Sequence, residues 1–176
     1  RNLLIARAMA IQATHILFID SDIEWKPESV IRLLDLCDDE HEIVSAVYPK
    51  KQYPTLFACS FVGPVVQGSN GMAEIKDAPA GFLLIRASAV LKMMEAYPER
   101  KCDFGMGLPA EAEPWQYTLF DAFAEDGKFH YEDYGFSRLW RAIGGRIWAD
   151  PNIELVHHGQ HGFRGKLADV LRPHEH

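Results

Sequence analysis

Short apolar runs alternate with stretches of helical spacing along this chain of 176 residues. Residues 2–13 are rich in Ala and Leu, with Leu4, Ala8 and Ile11 at helical spacing, and predict a helix. The run His15 to Ile19 is continuously apolar after its first residue and stops at Asp20-Ser21-Asp22. Such a run suits a strand covered on both faces. Pro27 fits a first helical turn, and Val30, Ile31, Leu33 and Leu34 form the apolar side of an amphipathic helix. Residues 42–48 predict a second strand, closed by Pro49. Helix, strand, helix, strand is the order of an α/β sheet.

The middle of the chain reads differently. Residues 53–80 carry Pro54, Gly63, Pro64, Gly68, Gly71 and Pro79 among short β-like runs, which predicts hairpins or a loose extension of the sheet. A third strong strand is expected over 80–85 and a helix over 87–97, ended before Pro98. Residues 99–118, with Gly105, Gly107, Pro109 and Pro114, predict a long irregular loop. Residues 132–143 predict a helix stopped by Gly144-Gly145, and 146–149 and 153–157 two short strands. One domain over 1–170 and a flexible tail over 171–176 complete the expectation.

Composition narrows the function classes. The chain is 48% hydrophobic and 24% charged, enough for a real core. Its net charge of −7 argues against a nucleic-acid footprint, which needs a basic face. It does not exclude a phosphate-bearing ligand, because a bridging metal ion offsets like charges. The three cysteines, Cys37, Cys59 and Cys102, are far apart and without a CxxC pair. They read as reduced thiols, which points to a cytoplasmic protein. No apolar run reaches the length of a membrane span.

Three segments carry candidate chemistry. Asp20 and Asp22 follow a buried strand, where ligands of open α/β sheets bind, and side chains two apart on an extended segment point the same way. Oxygen ligands of this kind suit Mg²⁺ or Mn²⁺, completed by substrate phosphates. The same residues also suit an ordinary helix-capping turn. Glu132 and Asp133 open a helix. They read either as first-turn acids favoured by the helix dipole or as a general base that takes a proton from an attacking hydroxyl. His157, His158 and His161 cluster after a short strand, and imidazole suits Mn²⁺ beside carboxylates. Arg1, Arg7, Lys50 and Lys51 are candidates for phosphate contact or plain surface charge. Trp115 and Tyr117 are candidates for stacking on a sugar ring or for packing.

In order, "ATHILFIDSDIEWKPESVIRLL", "EIVSAVYPKKQYP", "APAGFLLIRASAV" and "YEDYGFSRLWRAIGGRIWADPNIELVHHG" resemble the GT-A fold glycosyltransferases, close to the inverting family-two type and its bacterial and phage relatives. The resemblance runs from residue 1 to about 163, and the combination is more specific than any one motif. It implies a Rossmann-like mixed sheet flanked by helices. It also implies a nucleotide-sugar donor (UDP- or GDP-sugar), a glycan, lipid or protein acceptor, and Mn²⁺ or Mg²⁺. Asp20 and Asp22 match the D-x-D that binds the metal and, through it, the diphosphate. Gly81 and Phe82 match the strand beside the acceptor and donor sugar. Asp133 matches the catalytic base, with Glu132 beside it. His157 matches a late metal-binding histidine, with His158 as the alternative, and Arg1 falls where members touch the nucleotide. The strands that hold the nucleotide base would precede Arg1, so the chain reads as an N-terminally truncated part of such a domain. That exposed sheet edge leaves room for a homo-oligomer. Two other readings stay open: a GT-A-like module that binds a nucleotide sugar without turnover, and a haloacid-dehalogenase-type phosphatase. The second is disfavoured by Glu24, which stands where that family carries Thr or Val.

Overall fold

The computed structural model describes residues 1–62, 71–105 and 107–171. Gly63, Pro64 and Gly68 of the predicted hairpin region and all but the first residue of the predicted tail lie outside the described residues. In chain order the elements are α1 (Asn2–Ala10), β1 (His15–Ile19), β2 (Ile23–Glu24), α2 (Pro27–Leu36), β3 (Ile43–Ser45), β4 (Ser60–Phe61), β5 (Ala73–Asp77) and β6 (Phe82–Arg86). There follow α3 (Ala87–Ala96), β7 (Phe123–Glu125), β8 (Lys128–His130), α4 (Glu132–Ala142), β9 (Ile147–Ala149), β10 (Glu154–His158) and β11 (Gly162–Lys166). The class is the expected one, an α/β fold with a mixed sheet flanked by helices. Six strands run in the order β1-β6-β3-β9-β5-β4, with β3 parallel to β9 and β5 antiparallel to it. A second sheet has the order β11-β10-β2, and β7 and β8 form a separate hairpin.

Packing divides the chain into two compact units, each assembled from two segments. The first comprises Arg1–Ile16 and Ile85–Gly145, the second Leu17–Leu84 and Arg146–His176. In the first unit, α1 turns Ile5, Ala6 and Met9 inward, whereas Leu4 and Ile11 are 52% and 80% exposed. The predicted face was therefore rotated. The helix ends at Ala10, so Ile11 lies beyond it, and Gln12 leaves with a φ of +57°. Helix α4 carries Glu132 and Asp133 in its first turn and Arg141 in its last, each sign on the end its dipole favours. Gly144, at φ +88°, stops it as predicted.

In the second unit, Ile23, Leu33, Val44, Ala46, Phe82 and Leu155 belong to one buried cluster. Burying each of the Ile, Leu, Val and Phe side chains contributes about 1.5–3 kcal/mol. Leu33 thus ties α2 to the sheet, with Pro27 at the first position of that helix. The second sheet holds β2 against β10, so that Ile23 faces His157 and Glu24 faces Val156. Strand β1 is not covered on both faces as predicted. Ile16 and Phe18 are buried while His15, Leu17 and Ile19 are half-buried, the period of two of a strand with unequal faces.

Candidate functional site

The acidic motif after β1 does not continue the strand. Asp20 O accepts the Ile23 N–H at 3.1 Å, which closes a tight turn between β1 and β2. The expected extended geometry of residues 20–22 is therefore replaced by a turn. The Asp20 N–H donates to Gly81 O at 3.0 Å, and the His158 N–H donates to Asp22 O at 2.8 Å. One backbone bond thus fixes each aspartate to a neighbouring strand end.

The ladder between β2 and β10 sets what Asp22 meets. Asp22 Oδ2 lies 3.4 Å from His157 Nε2 and accepts a hydrogen bond from Lys51 Nζ at 2.6 Å. His157 Nδ1 lies 2.9 Å from Pro49 O. A carbonyl only accepts, so Nδ1 carries the proton, and a neutral ring would turn its Nε2 lone pair toward the carboxylate. Two acceptors facing each other favour a cation beside them, a place the Lys51 ammonium takes at 2.6 Å from the same oxygen. Imidazoles that bind metal are held in this way, with the other ring nitrogen donating to a carbonyl. The Lys51 ammonium holds the Asp22 carboxyl below the usual carboxylate range.

Behind His157 stands the Tyr48 ring, edge-on, with centroids 4.9 Å apart. Tyr48 in turn fills the space that a side chain at Gly81 would need, since a Cβ there would lie 2.5 Å from Tyr48 Cε1. A side chain at Gly81 would have to displace the Tyr48 ring, so the glycine connects Asp20 with the backing of His157. Phe82, its neighbour, is fully buried and packs at 6.0 Å against Trp25, so its place is in the core. His158 points to the opposite face of β10 and pairs with Glu24 Oε2 at 2.7 Å. Of the two histidines, His157 is the one brought to Asp22. Among the described residues no three His, Cys, Asp or Glu side chains form a ready-made metal cage. The donor types nonetheless fit a hard cation that takes one or two carboxylates, an imidazole and substrate oxygens.

The first unit holds the other predicted acids. Glu132 Oε1 pairs with the Arg1 guanidinium, so the structure gives Arg1 an acidic partner within its own unit. Asp133 Oδ1 accepts the Tyr134 N–H at 2.9 Å, and Asp133 O accepts the Ser137 hydroxyl at 2.9 Å. Burial pushes the Asp133 carboxyl above its ordinary value; the Tyr134 N–H opposes this, and the neighbouring Glu132 adds to it. A half-buried carboxylate with a raised pKa is the usual form of a general base. The start of α4 is pressed against the preceding segment, because a Cβ on Gly135 would lie 1.9 Å from Asp121 O.

The irregular stretch after α3 borders a cavity of about 760 Å³ lined by Lys101, Asp103, Leu108, Glu113 and Gln116. Trp115 and Tyr117 are half-buried there rather than displayed. Lys51 was foreseen as a phosphate contact or plain surface charge, and Tyr48 only as the end of a strand. Each acts on a residue at least 29 positions away, and no local pattern encodes such pairs.

No protein-family model and no curated protein matches the chain. Among solved structures it is similar to A197 from STIV, at 12% identity and a TM-score of 0.52, over 99% of this chain and 78% of that one. At that identity the likeness is one of fold alone. No helix among the described residues is long and apolar enough to cross a membrane.

Proposed function

We propose that the chain is the metal- and acceptor-binding part of a GT-A-type glycosyltransferase that moves a sugar from a UDP- or GDP-sugar to an acceptor hydroxyl with inversion. One observation carries the reading most: His157, its tautomer set by Pro49, presents Nε2 to the Asp22 carboxylate at 3.4 Å. Asp22 and His157, with Asp20 on the same turn, would hold Mn²⁺ or Mg²⁺. That ion supplies charge compensation for the departing diphosphate. Gly81 keeps the Asp20 backbone in place and admits the Tyr48 ring that orients His157.

The resemblance to inverting glycosyltransferases assigns the proton to Asp133. As the acceptor oxygen bonds to the anomeric carbon and the bond to the diphosphate breaks, Asp133 takes the hydroxyl proton. A carboxyl with a raised pKa is the stronger base for that step. Glu132 is engaged with Arg1 and serves as neighbour rather than base. The test is a transfer assay with UDP- and GDP-sugars, acceptor glycans and Mn²⁺, beside calorimetry of nucleotide binding. Wild type should transfer sugar, and Asp22→Ala should lose both Mn²⁺-dependent donor binding and transfer. Donor binding with no turnover on any acceptor would leave a binding module, and Asp22→Ala with wild-type transfer would end the proposal.

A further inference from the structure

We infer that Lys51 is a built-in counter-cation of the Asp22 site: it occupies the carboxylate when no metal is bound, competes with the metal for it, and once displaced turns to the donor phosphates. The inference rests on the glycosyltransferase reading of the same site. Its basis is the identity of one atom. Lys51 Nζ sits 2.6 Å from Asp22 Oδ2, the same oxygen that faces His157 Nε2 at 3.4 Å. An ammonium and a divalent ion on that one oxygen repel each other at such range, so each weakens the hold of the other.

The arm is built to leave. Its backbone is flanked by tethers, the Lys50 N–H to Leu56 O at 2.7 Å and the Gln52 N–H to Lys50 O at 2.8 Å. The side chain itself runs over Gly159, where a Cβ would already approach Lys51 Cδ to 3.2 Å. The glycine therefore leaves the lysine stem a channel beside the β10–β11 turn. Lys51 and Asp22 are 38% and 42% exposed, and pairs this open hold weakly. An ammonium released there is a flexible point charge, suited to a phosphate oxygen.

The experiment compares Mn²⁺ binding, by calorimetry and by the Mn²⁺ spin-resonance signal, in wild type, Lys51→Met and Lys51→Arg, with thermal unfolding to verify that each is folded. Lys51→Met should bind Mn²⁺ alone about two- to fivefold more tightly, the range of an exposed ion pair removed. Lys51→Arg should bind it like wild type. With Mn²⁺ saturating, Lys51→Met should bind UDP and GDP about tenfold more weakly, the loss of one charged hydrogen bond. Unchanged or weaker Mn²⁺ binding by Lys51→Met overturns the competition, as does the lack of measurable Mn²⁺ binding by all three proteins. Unchanged nucleotide binding overturns the turn to phosphate. Sugar transfer by wild type is scored separately, so loss of the competition does not decide the proposed activity.

Discussion

Asp22 and Asp133 are the same residue type in opposite situations. Asp22, in the second unit, is half exposed and touches an ammonium, and its carboxyl is shifted down. Asp133, in the first, is half-buried and accepts the Tyr134 N–H, and burial shifts its carboxyl up. The first stays ionised and suits holding positive charge. The second accepts a proton more readily and suits taking one from a substrate. The two environments thus drive the same side chain in opposite directions, one toward the charged form and one toward the neutral form.

The strongest way to break this contrast is to neutralise one member. Asp133→Asn should lower kcat by about 10²- to 10⁴-fold while leaving Mn²⁺-dependent nucleotide binding within about twofold. Near-normal turnover of the variant would remove Asp133 as the base. In wild type, activity should be lost as pH falls through the raised Asp133 value, so the acid limb of the kcat profile should lie above the ordinary aspartate range. A limb at the ordinary value would assign it to another group.

Packing offers a paired probe of the two units. Gly135→Ala drives a methyl into the Asp121 carbonyl, which is backbone and cannot turn aside. Gly81→Ala meets the edge of the Tyr48 ring, which can. Thermal unfolding should show the first at or above the upper end of the about 1–3 kcal/mol typical of overpacking and the second toward the lower end. Gly81→Ala should also weaken Mn²⁺ binding through Tyr48 and His157. Equal losses with no effect on Mn²⁺ would separate Gly81 from the site.

Stability against pH distinguishes the two acids most gently. A carboxyl lowered in the fold contributes stability that is present above its unfolded value and lost as pH falls through the folded one. Asp22→Asn should therefore cost under about 1 kcal/mol at neutral pH, vanishing in high salt and in acid. A carboxyl raised in the fold behaves inversely, its contribution being lost as pH rises through the folded value. Asp133→Asn should therefore be more stable than wild type at neutral pH, and the gain should shrink in acid. Denaturant midpoints across pH measure both, and a neutral-pH loss for Asp133→Asn would reverse the assignment.

Much of the fold was legible because its signals are local. The apolar run into Asp20, Pro27 at a helix start, the run before Ala87 and Gly144 after α4 each mark an element where it stands. The β7–β8 hairpin went unread although its turn, Asp126-Gly127, has both residues at positive φ, a recognisable hairpin signal. Strand β11 escaped because its run, Gly162 to Lys166, contains two glycines and two cations and has little apolar pattern. Asp20, Asp22 and His157 were readable as candidate residue types, and Glu132 and Asp133 as acids that open α4. The turn at 20–22, the facing of His157 rather than His158 and the Lys51 pairing were not, since strand register and tertiary approach decide them.

The backbone bond from His158 N–H to Asp22 O gives the corner its own reporter. Because β2 is only two residues long, that corner can detach without melting the large sheet. A single amide proton then measures the event: its exchange with deuterium counts how often the aspartate turn lifts from β10. Adding Mn²⁺ should slow that one exchange more than those of the β3–β9 ladder, a spectroscopic clock for occupancy that needs neither donor nor acceptor.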